Sequence, residues 1–149
     1  MAYQFKFDKI LHIKEKEKQD ALADYQTAAD KFEQTAQKLY ELLKRKEDLE
    51  AFQAEELNQG LSVQDIRHNQ RFITNLQKSI DFYQKMVINA RNRMEFYQQK
   101  LIDSNVEAKK FTKMKEKGFL AYQQGLKFLE GKQMDDISIQ QFIGRGNQV

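Results

Sequence analysis

Two histidines are the only residues whose free side chains titrate near neutral pH, so the search for chemistry starts with them. His12 has Glu15 and Glu17 within a helical turn, a pairing that suits a solvated ion-pair face better than a metal or general base. His68 stands between Arg67 and Arg71, which makes it a surface histidine or a partner contact. Two histidines and no cysteine rule out three-His and Cys-type metal sites. Asp135 and Asp136 lack the spacing of a calcium loop. Only one of six glycines precedes Gly118, so no phosphate-cradling loop is available. Cofactors, metals and catalytic groups are therefore all expected to be absent, and the chain is not expected to be an enzyme.

Charge and aromatic side chains are the remaining chemistry. The segment Lys109, Lys110, Lys113, Lys115 and Lys117 carries five lysines against one glutamate, Glu116. Lys14, Lys16 and Lys18 form a second basic group. Such patches suit an acidic protein surface. A net charge of +3 over 149 residues, with no base-stacking platform or reading motif, argues against nucleic acid. Eleven Phe and six Tyr are many for a plain spacer. In Phe82-Tyr83 and Phe96-Tyr97 both rings cannot enter one narrow helix seam, so Phe72, Phe82 and Phe96 are candidate partner anchors.

The elements that carry these groups are helices. There is no Pro, and residues 5–57 contain no Gly and are dense in Lys, Glu, Gln, Ala and Leu. Leu22, Tyr25, Ala29, Phe32, Ala36, Leu39 and Leu43 alternate steps of three and four, the rhythm of a coiled-coil seam. That row runs into Lys46, and apolar character moves to Leu49 and Phe52, which reads as a stutter. A break follows at 58–62. Gly60 supplies a left-handed helix end, and Ser62 with Asp65 makes a capping pattern for the next helix. The second helix, about 63–131, keeps the same rhythm from Ile73 through Leu76, Ile80, Tyr83, Val87, Ala90, Met94, Tyr97, Leu101, Ser104 and Ala108 to Phe111. A phase shift toward Met114 is expected there. Residues 132–149 read as a flexible tail.

A short connection between two long helices predicts one all-α domain, a long antiparallel two-helix coiled coil. Leu43 is expected opposite the region of Leu76, and Leu22 opposite that of Tyr97. No stretch is long and apolar enough to span a membrane, and the charged segment Met1–Lys18 lacks a signal core.

Three segments together are more specific than the heptads. They are Met1-Ala2-Tyr3-Gln4-Phe5-Lys6-Phe7-Asp8-Lys9-Ile10-Leu11, Asn69-Gln70-Arg71-Phe72-Ile73-Thr74-Asn75-Leu76 and Met134-Asp135-Asp136-Ile137-Ser138-Ile139-Gln140-Gln141-Phe142. In this order and at this length the chain resembles the FliJ family of the bacterial flagellar type III export apparatus, and most of all its forms from Gram-positive rods. The resemblance implies a non-enzymatic export component with a two-helix coiled coil like the central stalk of rotary ATPases. It implies as partners the hexameric export ATPase, the export gate protein FlhA, export chaperones and the ATPase regulator or stator protein. It implies a place in the cytoplasm, peripheral to the membrane at the flagellar base.

The family's gate-contacting positions correspond to Lys38, Leu42, Arg45, Leu49, Phe72, Leu76, Ser79 and Tyr83 here. Leu42, Phe72 and Leu76 agree with the family form, and the others depart from it. The ATPase end is assigned to Lys14, Lys18, Lys109, Lys110, Lys113, Lys115 and Lys117. Two other functions fit the bare residues: a coiled-coil scaffold or adaptor, and a basic coiled-coil chaperone or nucleic-acid-associated protein.

Overall fold

The computed structural model describes residues 2–146 and contains two helices, α1 (Asp8–Gln59) and α2 (Val63–Gly146). They run antiparallel and pack together as a helical hairpin, as expected. No helix among the described residues is long and apolar enough to cross a membrane. The turn follows the predicted chemistry. Gly60 has φ +90°, a left-handed conformation that a side chain disfavours, and its N–H donates to the Leu57 carbonyl at 3.4 Å. The Asp65 N–H donates to Ser62 Oγ at 3.2 Å, which satisfies one of the free donors at the start of α2.

The chain divides into two compact units: Met1–Lys18 with Ser104–Val149, and Gln19–Asp103. In the second unit, the α2 seam is the predicted one. Leu76 and Ile80 are buried and join Leu42 in a core cluster, against which Leu39, Leu49 and Tyr83 pack. Ile80 is wholly inaccessible.

The α1 seam differs from the expected row. Tyr25, Phe32 and Leu39 take part, but their buried companions are Ala21, Ala28, Thr35 and Leu42 rather than Leu22, Ala29, Ala36 and Leu43. Leu42 is 9 % exposed and Leu43 42 %. The row then continues without a stutter through half-buried Lys46, Leu49, Gln53 and Glu56. The physical reason is continuity of the apolar row: positions 42, 46 and 49 keep the three-four rhythm and bring Leu49 against the core cluster, whereas a row through Leu43 and Lys46 runs on to exposed Glu50. Ala28 lines a hollow with Ala90 and Tyr97. Thr35 is buried at no polar cost because its Oγ1 donates to the Lys31 carbonyl at 2.6 Å.

In the other unit, α1 begins at Asp8, not near residue 5. Residues 2–5 have no regular structure and 6–7 form a turn. The Leu11 N–H donates to the Phe7 carbonyl at 2.9 Å, so Phe7 starts the helical ladder. On α2 the expected shift to Met114 does not occur. Met114 is exposed, and the row passes from Ala108 and Phe111 through Lys115 to half-buried Gly118 and Tyr122. Helix α2 also does not end near 131. Residues 132–146 of the expected tail are helical, and 147–149 lie outside the described residues. Nothing in this stretch removes a backbone donor. Gly131 weakens a helix by only about 1 kcal/mol relative to Ala, which does not stop it.

Candidate functional site

The flanks of the seam, not the seam itself, are open to partners. On one side α1 places Asp24, Lys31, Lys38, Arg45 and Phe52 at heptad intervals. On the same side α2 places Phe72, Ser79, Met86, Arg93 and Lys100 at heptad intervals. Two hollows join the rows, at Asp24 and Lys31 with Arg93 and at Phe52 with Phe72, and the heptad step carries the groove between them. One, of about 310 Å³, is lined by Asp24, Thr27, Ala28, Lys31, Ala90, Arg93 and Tyr97. The other, of about 180 Å³ beside the turn, is lined by Leu49, Phe52, His68, Asn69, Phe72 and Ile73.

Groove chemistry changes along its length. Beside the turn it is aromatic, with Phe72 49 % exposed. Farther from the turn it is basic. Among the described residues, Lys31, Lys38, Arg45 and Lys100 are in no ion pair, so their charge is available to a partner. Arg93 lies over the Tyr97 ring at 5.9 Å. Phe82 and Phe96 stand on the outer wall, 59 % and 64 % exposed, each edge-on to a seam tyrosine at 5.5 Å and 5.3 Å.

The expected gate-contacting residues are thus brought together only in part. Phe72 lines the hollow beside the turn, and Lys38, Arg45 and Ser79 are exposed at the heptad positions between the two hollows, Arg45 also lining a hollow on α1 with Glu41 and Asp48. Leu42 and Leu76 are buried in the core cluster, with Leu49 and Tyr83 half-buried against it, so these four shape the floor. His68 joins the aromatic hollow. Phe52 and the Lys31 row escaped the sequence reading. The heptad step from Lys38 and Arg45 points to both, once α1 has the correct seam frame.

The lysine group lies in the other unit. Lys109, Lys113 and Lys117 step by one helical turn, are exposed, and are in no ion pair among the described residues. Lys110 pairs with Glu107 at 3.2 Å and Lys115 with Asp8 at 3.2 Å. Lys14 and Lys18 are half-buried in the seam, and Lys14 pairs with Glu17 at 3.5 Å. The seven lysines are therefore not one patch; the free charge is concentrated on the α2 row. Among the described residues no group of three His, Cys, Asp or Glu side chains could hold a metal ion. His12, Asp135 and Asp136 are exposed.

Together the hairpin and its two kinds of flank define a coiled-coil contact protein, one that works through helix surfaces. The family described as Flagellar FliJ protein matches residues 3–147. The Flagellar FliJ protein of Bacillus subtilis (strain 168) is 48 % identical over 147 residues, covering 99 % of this chain and 100 % of that protein. The chain belongs to the flagellar FliJ family, and is accordingly a non-enzymatic component of the flagellar protein export apparatus that acts by protein contact. No solved structure matches it.

Proposed function

We propose that the protein couples the hexameric flagellar export ATPase to the export gate protein FlhA, and escorts or recycles export chaperones, at the cytoplasmic face of the membrane. The gate contact is assigned to the groove, with Phe72 as its aromatic anchor and Lys38, Arg45 and Ser79 along its rim. The ATPase contact is assigned to Lys109, Lys113 and Lys117, with Lys110, Lys115, Lys14 and Lys18 as supporting positions. The regulator or stator protein of the ATPase is a further partner.

The observation that carries this reading is the groove. A half-exposed phenylalanine over a hollow, followed by unpaired basic side chains, is the anatomy of a protein contact with an apolar centre and a charged rim. Departures from the family form at Lys38 and Arg45 make the groove basic here, so the matching surface of the gate protein is acidic.

Purified gate-protein cytoplasmic domain and ATPase, each titrated against the intact protein, test the assignment. Phe72→Ala weakens gate binding about tenfold or more, and leaves ATPase binding unchanged. Lys109→Glu with Lys113→Glu and Lys117→Glu does the reverse. If both variants bind both partners as the parent does, the assignment is wrong.

A further inference from the structure

Residues 2–7 form an arm that replaces α1 where α1 has not yet begun. The arm lies along α2 through rings. Tyr3 is 5.7 Å from Phe119 and 5.6 Å from Tyr122, Phe7 is 6.4 Å from Phe111, and Phe5 is 5.9 Å from Phe7. The Tyr3 hydroxyl donates to the Lys115 carbonyl at a long 3.4 Å. Phe111, Lys115, Gly118 and Tyr122 continue the α2 seam row, so the arm occupies a helix-binding surface while not being a helix. The α2 stretch from Phe111 to Tyr122 is about 17 Å at 1.5 Å per residue. Tyr3 meets its far end, and Phe7, in the turn at 6–7, meets its near end.

Gly118 is where the arm sits closest. A β-carbon there would collide with the Tyr3 hydroxyl and stand 3.3 Å from its ring. At Gly125 and Gly131 a β-carbon would meet nothing within 4 Å. Glycine is a poor residue for a helix interior, and at 118 the arm supplies the reason for it. The Asp8 N–H donates to the Phe5 carbonyl at 3.2 Å and closes the turn at the base of the arm. Toward α2, the contacts seen among the described residues are one long hydrogen bond and partly exposed ring contacts, features of a segment that opens locally without global unfolding.

We propose that residues 2–7 are a releasable strap, seated on α2 by Tyr3 over Gly118, whose release bares the seam face at Phe111, Gly118 and Tyr122. The closed state shields this face and leaves Lys115 paired with Asp8. The open state presents a helix-binding surface. This goes beyond the partner assignments above and does not depend on them.

The chain has no Trp, so Phe119→Trp places a single fluorescent reporter against Tyr3. In that background, Gly118→Ala and, separately, Tyr3→Ala raise acrylamide quenching of the indole about twofold, as expected for a local opening. Both also raise bis-ANS fluorescence, while far-UV circular dichroism keeps its helical amplitude. Gly125→Ala, the matched control, leaves quenching and dye binding at the parent level. The proposal is overturned if Gly118→Ala and Tyr3→Ala leave quenching unchanged, or if Gly125→Ala changes it equally. Because Ala favours helix over Gly, a loss of signal through unfolding of α2 is not the expected route, and the dichroism reports it directly.

Discussion

Lys115 Nζ lies 3.2 Å from Asp8 Oδ1, an ion pair between the first residue of α1 and the seam row of α2. Both side chains are close to half exposed, at 46 % and 48 %, so solvent screens most of the attraction. Asp8 also stands in the first turn of α1, where a negative charge meets the positive end of the helix. A double-mutant cycle with Asp8→Asn and Lys115→Gln therefore gives a coupling below about 1 kcal/mol. Asp8→Asn alone lowers the melting temperature more at low salt than at high salt. A coupling of several kcal/mol would show that the pair is far less solvated than its exposure indicates.

The frame of the α1 seam has a direct test. Leu42→Ala removes a side chain from the core cluster and costs about 2–4 kcal/mol. Leu43→Ala, next in sequence but mostly exposed, costs less than about 1 kcal/mol. Chemical denaturation of the two variants side by side distinguishes this frame from the one through Leu22, Ala29, Ala36 and Leu43. Equal losses would place both leucines at the seam.

The turn is held by two separable devices. Gly60→Ala forces a β-carbon into the left-handed region at φ +90° and costs about 1–2 kcal/mol. Ser62→Ala removes the acceptor of the Asp65 N–H and costs about 1 kcal/mol, whereas Ser62→Asp keeps an acceptor and retains stability. Thermal melts of the three variants read these effects.

Lys46 is a lysine in a seam row, half-buried, with Glu50 3.7 Å away. Lys46→Leu stabilises the hairpin by about 1 kcal/mol, because an apolar side chain there buries surface without leaving a charge at the interface. A higher denaturation midpoint checks this. A fall in the midpoint would mean that the lysine sets the register of the helices.

The groove predicts two kinds of binding loss toward the gate protein. Arg45→Glu weakens binding strongly at low salt and less as salt is raised, because it acts through charge. Phe72→Ala weakens binding to a similar extent at all salt concentrations, because it acts through apolar contact. Titrations at two ionic strengths separate them. Identical salt dependence of both variants would contradict the division into an aromatic and a basic stretch.

Much of the candidate site was legible in one dimension. Exposed Phe82 and Phe96 follow from the fact that neighbouring rings on a helix cannot share one seam, and exposed Phe72 from its place one residue off the seam position Ile73. The groove was not legible as a groove, because its two rows come from different helices. Lys31 comes to share a hollow with Arg93 only when the two helices are side by side. The lysine group shows the converse. Grouped by sequence, seven lysines look alike, but packing sends Lys14 and Lys18 into the seam and leaves Lys109, Lys113 and Lys117 free.

By itself the sequence determined the two helices, the left-handed glycine and serine cap between them, and the α2 seam from Ile73 to Phe111. These follow from local rules, since propensity, capping and the three-four rhythm need no knowledge of a partner. The choice between two α1 rows was decided only in three dimensions. Tyr25, Phe32 and Leu39 belong to either row, and Ala21, Ala28, Thr35 and Leu42 differ from their neighbours by one residue, a rotation of about 100° about the helix axis. Packing of Leu49 on the core cluster breaks that tie, because only the row through Leu42 and Lys46 reaches it in phase. The arm was decided in the same way. Phe5 and Phe7 look like the start of a helix, but Tyr3 meets the Lys115 carbonyl 112 residues away, and the glycine at 118 that admits it has meaning only once the two are side by side.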